Sequence, residues 1–276
     1  MKYPLNSMRA LRFEFSFFPL LVMALSLSAC KKDEAIHPAS YSSLCIGHHG
    51  NKERAMENSL ASLQSAQDIG ADGVEVDVQN TQDDHAIVFH DEDLATLARS
   101  KAGKQCDFSS RIKKLTLKQI RDNCELKDGQ EIPTLAEVLL RFNQRGFKMF
   151  IDVKDLPNDE TLNNIRDYYH GHYEDVSAMV TFSATLRTVY QVRSKLPEGV
   201  KLFLTGNEYI PGTENGFDGI DVRLASDVQI RLLQQKNIQV SLFDVNTTQT
   251  QVHALELGIN YITTDKLASC VGLKKR

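Results

Sequence analysis

Nine short apolar runs punctuate the chain, at residues 44–48, 73–78, 86–90, 148–153, 177–182, 200–204, 218–222, 238–243 and 259–263. Their length and content of branched and aromatic residues predict strands. Between most of them, apolar residues recur at the spacing of a helix. Asn58 to Ile69 aligns Leu60, Leu63, Ala66 and Ile69, and Thr134 to Phe142 aligns Leu135, Val138, Leu139 and Phe142 behind the start signal of Pro133. Asp227 to Gln235 and Thr247 to Leu257 read the same way. Strands alternating with helices imply a parallel sheet with helical crossovers. Only Gln79 to His85 separates the second run from the third. A parallel crossover needs a dozen or more residues, so these two are expected to be antiparallel or irregularly joined. Removing the third leaves eight strands, and the expected architecture is an α/β fold, a TIM (β/α)8 barrel. An open doubly wound sheet is the competing architecture, but no Gly-x-Gly-x-x-Gly or Gly-Lys-Ser/Thr phosphate signature supports it. The long charged stretch from about 91 to 131 reads as an inserted cap or subdomain at the barrel mouth, after the second strand region.

A length of 276 residues fits one large domain, and 42% hydrophobic residues suffice for its core. A formal charge of -4 excludes a broadly basic surface, and no nucleic-acid partner is expected. The first residues stand apart. Lys2, Arg9 and Arg12 precede an apolar run from Phe15 to Ala29, and Leu27-Ser28-Ala29-Cys30 closes it. The segment resembles a bacterial lipoprotein signal, which implies cleavage before Cys30 and lipidation of that residue. The alternative, an uncleaved anchor, has an apolar run short for a bilayer span. The resulting organisation is a signal peptide at 1–29, a lipidated Cys and polar tether at 30–43, and a folded domain at 44–276. The membrane would be a partner through the anchor, and Lys31 is compatible with the periplasmic face of the outer membrane. Four cysteines remain in this exported chain, an even number that favours disulfides. Cys106 and Cys124 share one polar stretch and are expected to pair, leaving Cys45 with Cys270. Zinc is the competing reading, without a Cys-x-x-Cys spacing to support it.

Candidate chemistry appears where the alternation is clearest. In Gly73 to Val78, Val74, Val76 and Val78 share one face and Glu75 and Asp77 the other, about 7 Å apart. Carboxylates directed into an interior need a cation or donors to compensate them. Barrel active sites lie at the C-terminal strand ends, and those ends supply His48-His49, Glu75, Asp77, His90, Asp152, Lys154, Ser183, Phe243-Asp244 and Thr264-Asp265. Asp152 and Lys154 are two apart on one strand and share a face. Three carboxylates with room for water suit Mg²⁺ or Ca²⁺ better than zinc, and a nearby histidine suggests metal-assisted acid/base chemistry. Glu75 and Asp77 alone could equally form a salt-bridged pair, and Thr264-Asp265 could cap the last helix.

Seven pieces in order then resemble the glycerophosphodiester phosphodiesterase family of TIM-barrel enzymes. They are His48-x-Gly50, Glu57-Asn58-Ser59, Gly70 to Val78, Val88-Phe89-His90-Asp91, Asp152-x-Lys154, Val245-Asn246 and Thr263-Thr264-Asp265. The resemblance implies hydrolysis of glycerophosphodiesters to sn-glycerol 3-phosphate and an alcohol. It implies His48 and His90 as general acid and base, and Glu75, Asp77 and Asp152 as ligands of one divalent ion. It further implies Lys154, His49, Glu57, Asn58 and Phe243 at the substrate, with Glu57 close to the metal shell. Three positions depart from the family: His49 stands for an Arg, Asp152 for a Glu, and Phe243 for a Trp. The lost guanidinium fork weakens the grip on phosphate. Two alternatives are therefore kept: a lysophospholipase D-like enzyme whose 91–131 insertion contacts an acyl chain, and a non-catalytic surface-binding lipoprotein on the same barrel.

Overall fold

The computed structural model describes residues 42–154, 156–181 and 186–275. The signal segment, Cys30, nearly all of the tether and Ser183 lie outside these residues. Among the described residues, no helix is long and apolar enough to cross a membrane.

The chain runs β1 (Leu44–His48), α1 (Leu60–Asp68), β2 (Gly73–Asn80), β3 (Ala86–Val88), β4 (Ala98–Ser100), α2 (Leu117–Asn123), β5 (Cys124–Leu126) and α3 (Leu135–Phe142). It continues with β6 (Lys148–Val153), α4 (Asp159–Tyr168), β7 (Val176–Thr181), α5 (Leu186–Lys195), β8 (Lys201–Glu208) and β9 (Gly219–Leu224). The last elements are α6 (Asp227–Gln235), β10 (Gln239–Leu242), α7 (Thr248–Leu257), β11 (Tyr261–Thr264) and α8 (Leu267–Lys274). Strands β1, β2, β6, β7, β8, β9, β10 and β11 pair in parallel, and β1 bonds to both β2 and β11, which closes the ring. This is an eight-stranded TIM barrel. β3 pairs antiparallel with the far end of β2, Val78 opposite Val88, because the short link allows only a hairpin-like return.

Helices begin where side chains can satisfy the first free N–H groups. Thr134 and Ser226 form capping boxes with Glu137 and Gln229. α1 starts two residues after the sequence pattern suggests, since Asn58 takes a left-handed φ of 57° and Ser59 becomes the cap. The barrel strands divide their faces. Outward residues such as Val74, Val76, Met149 and Ile151 pack under the helices in the main core. Inward residues form an apolar floor of Ile46, Phe150, Met179, Phe203 and Tyr261, with Phe150 edge-on to Phe203 and Tyr261 at 5.4 and 4.8 Å between ring centroids. One layer higher, toward the C-terminal ends, the inward positions turn polar.

The 91–131 segment holds a separate apolar cluster that includes Leu94, Ala98, Ile112, Ile120 and Leu126, packed onto Ile87 and Phe89. The β4–β5 pair and a Cys106–Cys124 disulfide tie it together. A second disulfide joins Cys45 to Cys270.

Candidate active site

Above the aromatic floor lies a cavity of about 580 Å³. His48, His49, Glu75, Asp77, His90, Asp152, Lys154 and Phe243 all line it. Glu57 and Asn58 do not appear in its lining, and neither does any residue of the 91–131 segment. Glu92, Arg111 and Lys113 of that segment instead surround a separate small cavity beside Gln79 and Lys154.

β2 and β6 are in register, with Asp77 opposite Asp152, so their shared inward face collects the carboxylates. Lys154, just past β6, places Nζ 2.6 Å from Asp77 Oδ1 and 2.5 Å from Asp152 Oδ2. His49 takes φ 58° immediately after β1, and this left-handed turn swings its ring inward. Its backbone N–H donates to Glu75 Oε2 at 3.2 Å, and its Nε2 lies 3.2 Å from Asp77 Oδ2. Asn58, expected at the substrate, is buried with both ends of its amide on Asp77: Nδ2 donates to Oδ2 at 2.7 Å, and Oδ1 accepts from the Asp77 N–H at 3.2 Å. Its left-handed backbone aims it at β2 rather than at the cavity. Glu57 stands behind the imidazole of His49, 3.6 Å from Nδ1. His49 and Glu57 thus stand within the carboxylate nest, and His49 also lines the cavity.

The charges are set by this crowding. Burial raises Glu75 well above the usual carboxylate range, and the Asp77 charge adds to it. Burial raises Asp152 as well, against the opposing pull of Lys154. For Asp77 burial works against ionisation, but His49 and Lys154 outweigh it and hold the carboxyl far below its ordinary value. Burial likewise opposes the imidazolium of His49, yet Asp77, Glu57 and Glu75 prevail and raise it to about 9. Three buried atoms in this nest, Asp77 Oδ1, Asp152 Oδ1 and His49 Nδ1, have no hydrogen-bond partner, although Lys154 Nζ lies 2.6 Å from Asp77 Oδ1. An Asp152 carboxylate oxygen left unsatisfied beside the carboxylates of Glu75 and Asp77 fits a site that takes a divalent cation.

The two remaining imidazoles flank this nest. His48, at the end of β1, sets Nδ1 2.8 Å from Asp265 Oδ1, which directs Nε2 away from that carboxylate. Asp265 is itself held by Lys52 at 2.7 Å and by the Asn246 amide at 2.9 Å. It caps no helix; α8 begins from Lys266 without a side-chain cap. Burial lowers the pKa of His48, partly offset by its bond to Asp265. His90, past β3, sets Nδ1 2.7 Å from Asp91 Oδ1. The His49 ring lies between the two, 4.0 Å from His48 and 5.2 Å from His90. Phe243 stands 6.3 Å from His48 and carries the Arg223 guanidinium 5.4 Å from its ring centroid.

The opposite wall holds groups that the sequence reading missed. Asp221, on β9, is buried with its Oδ2 accepting from Thr205 Oγ1 at 3.0 Å. Burial pushes its pKa up to about 7 against the hydroxyls of Ser241 and Thr205. The signal was present, since Ile220 and Val222 flank Asp221 as Val74, Val76 and Val78 flank Glu75 and Asp77. No motif drew attention to it. Arg223, two residues on, reaches the same cavity and ion-pairs with Asp244 at 2.6 Å.

Residues 48–269 match the glycerophosphoryl diester phosphodiesterase family. A curated glycerophosphodiester phosphodiesterase of Caldanaerobacter subterraneus subsp. tengcongensis is 35% identical over 117 residues, 40% of this chain and 45% of that protein. The chain thus spans less than half the length of that curated relative. A solved glycerophosphodiester phosphodiesterase from Parabacteroides distasonis superposes with a TM-score of 0.69 at 19% identity, covering 86% of this chain and 98% of that one. An Oleispira antarctica phosphodiesterase solved with its product sn-glycerol-3-phosphate gives the same TM-score, 0.69, at 19% identity, with 86% and 98% covered. At these identities the two structures show a shared fold.

Proposed function

The chain belongs to the glycerophosphoryl diester phosphodiesterase family, and from that premise we propose that it hydrolyses glycerophosphodiesters to sn-glycerol 3-phosphate and an alcohol. The observation that carries the reading is the convergence of two carboxylate-held imidazoles, three buried carboxylates and a lysine on one cavity. The Oleispira relative, bound to that product, supports the substrate class.

Glu75, Asp77 and Asp152 would hold a divalent cation, for which three carboxylates alone suit Mg²⁺ or Ca²⁺; once bound it supplies Lewis-acid stabilisation of the non-bridging phosphate oxygens. Lys154 adds a fixed positive charge to the same oxygens. Its tight pairing with Asp77 and Asp152 keeps it protonated, with a pKa above the usual lysine range although burial opposes this. The Asp265 and Asp91 carboxylates accept from Nδ1–H of His48 and His90, so both rings present Nε2 for proton transfer. One Nε2 takes the proton of the attacking hydroxyl and the other protonates the leaving alcohol. Phe243 gives the carbon skeleton of the substrate an apolar wall beside His48.

One observation favours a second substrate for the same site. Ile210, Leu224 and Val228 are exposed at 57, 61 and 68%, and Leu224 follows cavity-lining Arg223 directly. A lysophospholipid could lay its acyl chain there. Release of sn-glycerol 3-phosphate from glycerophosphocholine should be metal-dependent, abolished by EDTA, and lowered at least about 100-fold in His48→Ala and His90→Ala. Absence of release by folded protein with added metal would sink the first reading. Turnover of lysophosphatidylcholine in its place would establish the second, and inactivity on both would leave a binding protein.

The lipid anchor completes the proposal: Cys30 carries the acyl chains and tethers the enzyme in the bacterial envelope, at the periplasmic face of the outer membrane. The support is the Leu27-Ser28-Ala29-Cys30 box. Metabolic labelling with radioactive palmitate should mark the wild-type protein and not Cys30→Ala; equal labelling of both would rule the anchor out.

A further inference from the structure

His49 is one of the three positions at which the sequence departs from the pattern it resembles, and the structure buries it among carboxylates. The residue is 5% exposed. Nε2 faces Asp77 Oδ2 at 3.2 Å and Glu75 Oε2 at 3.7 Å, while Nδ1 faces Glu57 Oε1 at 3.6 Å without a hydrogen bond. Ligand atoms of His49, Asp77 and His90 all lie within 4.8 Å of one another, as do those of His48, His49 and Glu75. A guanidinium is always charged and offers no lone pair, whereas neutral imidazole offers one nitrogen to a cation and an N–H from the other. Glu57 Oε1, 3.6 Å from Nδ1, is a carboxylate within a small shift of that N–H, as in the carboxylate–histidine arrangement that fixes a ligating ring.

Taking the phosphodiesterase reading only for the presence of a cation, we propose that His49 is a nitrogen ligand of that cation, joining Glu75 and Asp77. The site is then a mixed nitrogen and oxygen centre, selective for Mn²⁺ and its first-row neighbours over Mg²⁺ and Ca²⁺. Imidazole binds these ions well, while the harder ions favour an all-oxygen set.

The test is Mn²⁺ titration of the metal-free protein, read by pulsed electron paramagnetic resonance and by competition with Mg²⁺ and Ca²⁺. Wild-type protein should show imidazole ¹⁴N modulation and prefer Mn²⁺ by about ten-fold or more. His49→Asn keeps a residue type at home in the left-handed conformation, and it should lose both the modulation and most of the preference. Should it fail to fold by circular dichroism, His49→Arg gives the same test with the family's own residue. The modulation should persist in His48→Ala and in His90→Ala. Mn²⁺ bound without nitrogen coupling overturns the proposal, and so does coupling unchanged in the His49 variants. Failure to bind Mn²⁺ also overturns it; His49 would then act as an imidazolium that occupies the nest itself. These outcomes are independent of turnover: an all-oxygen site that still cleaves glycerophosphodiesters sinks only this inference, and a nitrogen-ligated site without cleavage sinks only the function.

Discussion

At the scale of single residues, the side chains that touch the cavity were more legible than those that hold them. Strand alternation alone singles out Glu75 and Asp77, because a two-residue period fixes which side chains share a face. It says nothing about Asn58, whose role depends on a left-handed backbone that puts its amide on Asp77. Asp265 was legible as a motif but not in its work, which is to hold His48 from a position 217 residues away. Asp221 leads to a pH-dependent expectation. Burial raises its pKa from 3.8 to about 7 in the folded, metal-free protein. Between those values the native state holds a proton that the unfolded chain has released. Stability from this group is therefore full below about pH 4 and is lost as pH rises through about 7. Asp221→Asn removes the titration, so its stability relative to wild type should climb by roughly 2–3 kcal/mol between pH 5 and pH 8. Urea unfolding in EDTA at several pH values measures this directly. Parallel curves for the two proteins would show that Asp221 is ionised in the folded state.

At the scale of elements, the apolar runs located all eight barrel strands because a barrel strand is buried on both faces and reads as a run. The link between β2 and β3 was equally decisive, since seven residues cannot carry a parallel crossover. Ends were less legible. β8 extends to Glu208, past the apolar run that ends at Leu204, because pairing with β9 continues to Leu224 where side chains no longer need to be apolar. The floor of the site was not legible at all. A Cβ on Gly219 would stand 2.1 Å from Phe203 Cε1, so the bare backbone of β9 is what lets that ring fill the barrel beneath Thr205 and Asp221. The sequence shows a glycine opening a strand; only the closed barrel shows which ring requires it. The 91–131 segment was legible as a long excursion. Its charged residues Glu92, Arg111 and Lys113 gather beside Lys154, on the flank of the site.

At the scale of the whole molecule, closure of the ring joins the two ends of the folded chain. β1 pairs with β11, Leu44 opposite Tyr261 and Gly47 opposite Thr264, and such distant contacts demand the most loop-closure entropy. The Cys45–Cys270 disulfide spans that same joint with a sequence separation of 225. It fastens α8 against β1, whose next residues carry His48 and His49 into the site. Constraining so long a loop in the unfolded chain corresponds to roughly 5 kcal/mol in the chain-entropy account, and measured values usually fall below it. The Cys106–Cys124 bridge closes a separation of only 18, within a segment that contributes no residue to the main cavity. The two bridges should therefore differ in consequence. Cys45→Ala with Cys270→Ala should lower the unfolding free energy by roughly 2–5 kcal/mol and loosen the first strand. Hydrogen exchange should then rise at β1 and β11 together. Cys106→Ala with Cys124→Ala should confine its exchange changes to β4, β5 and α2, because the cluster it fastens is separate from the main core. Comparable exchange maps for the two double variants would mean that the barrel joint is held by its strand pairing and packing alone.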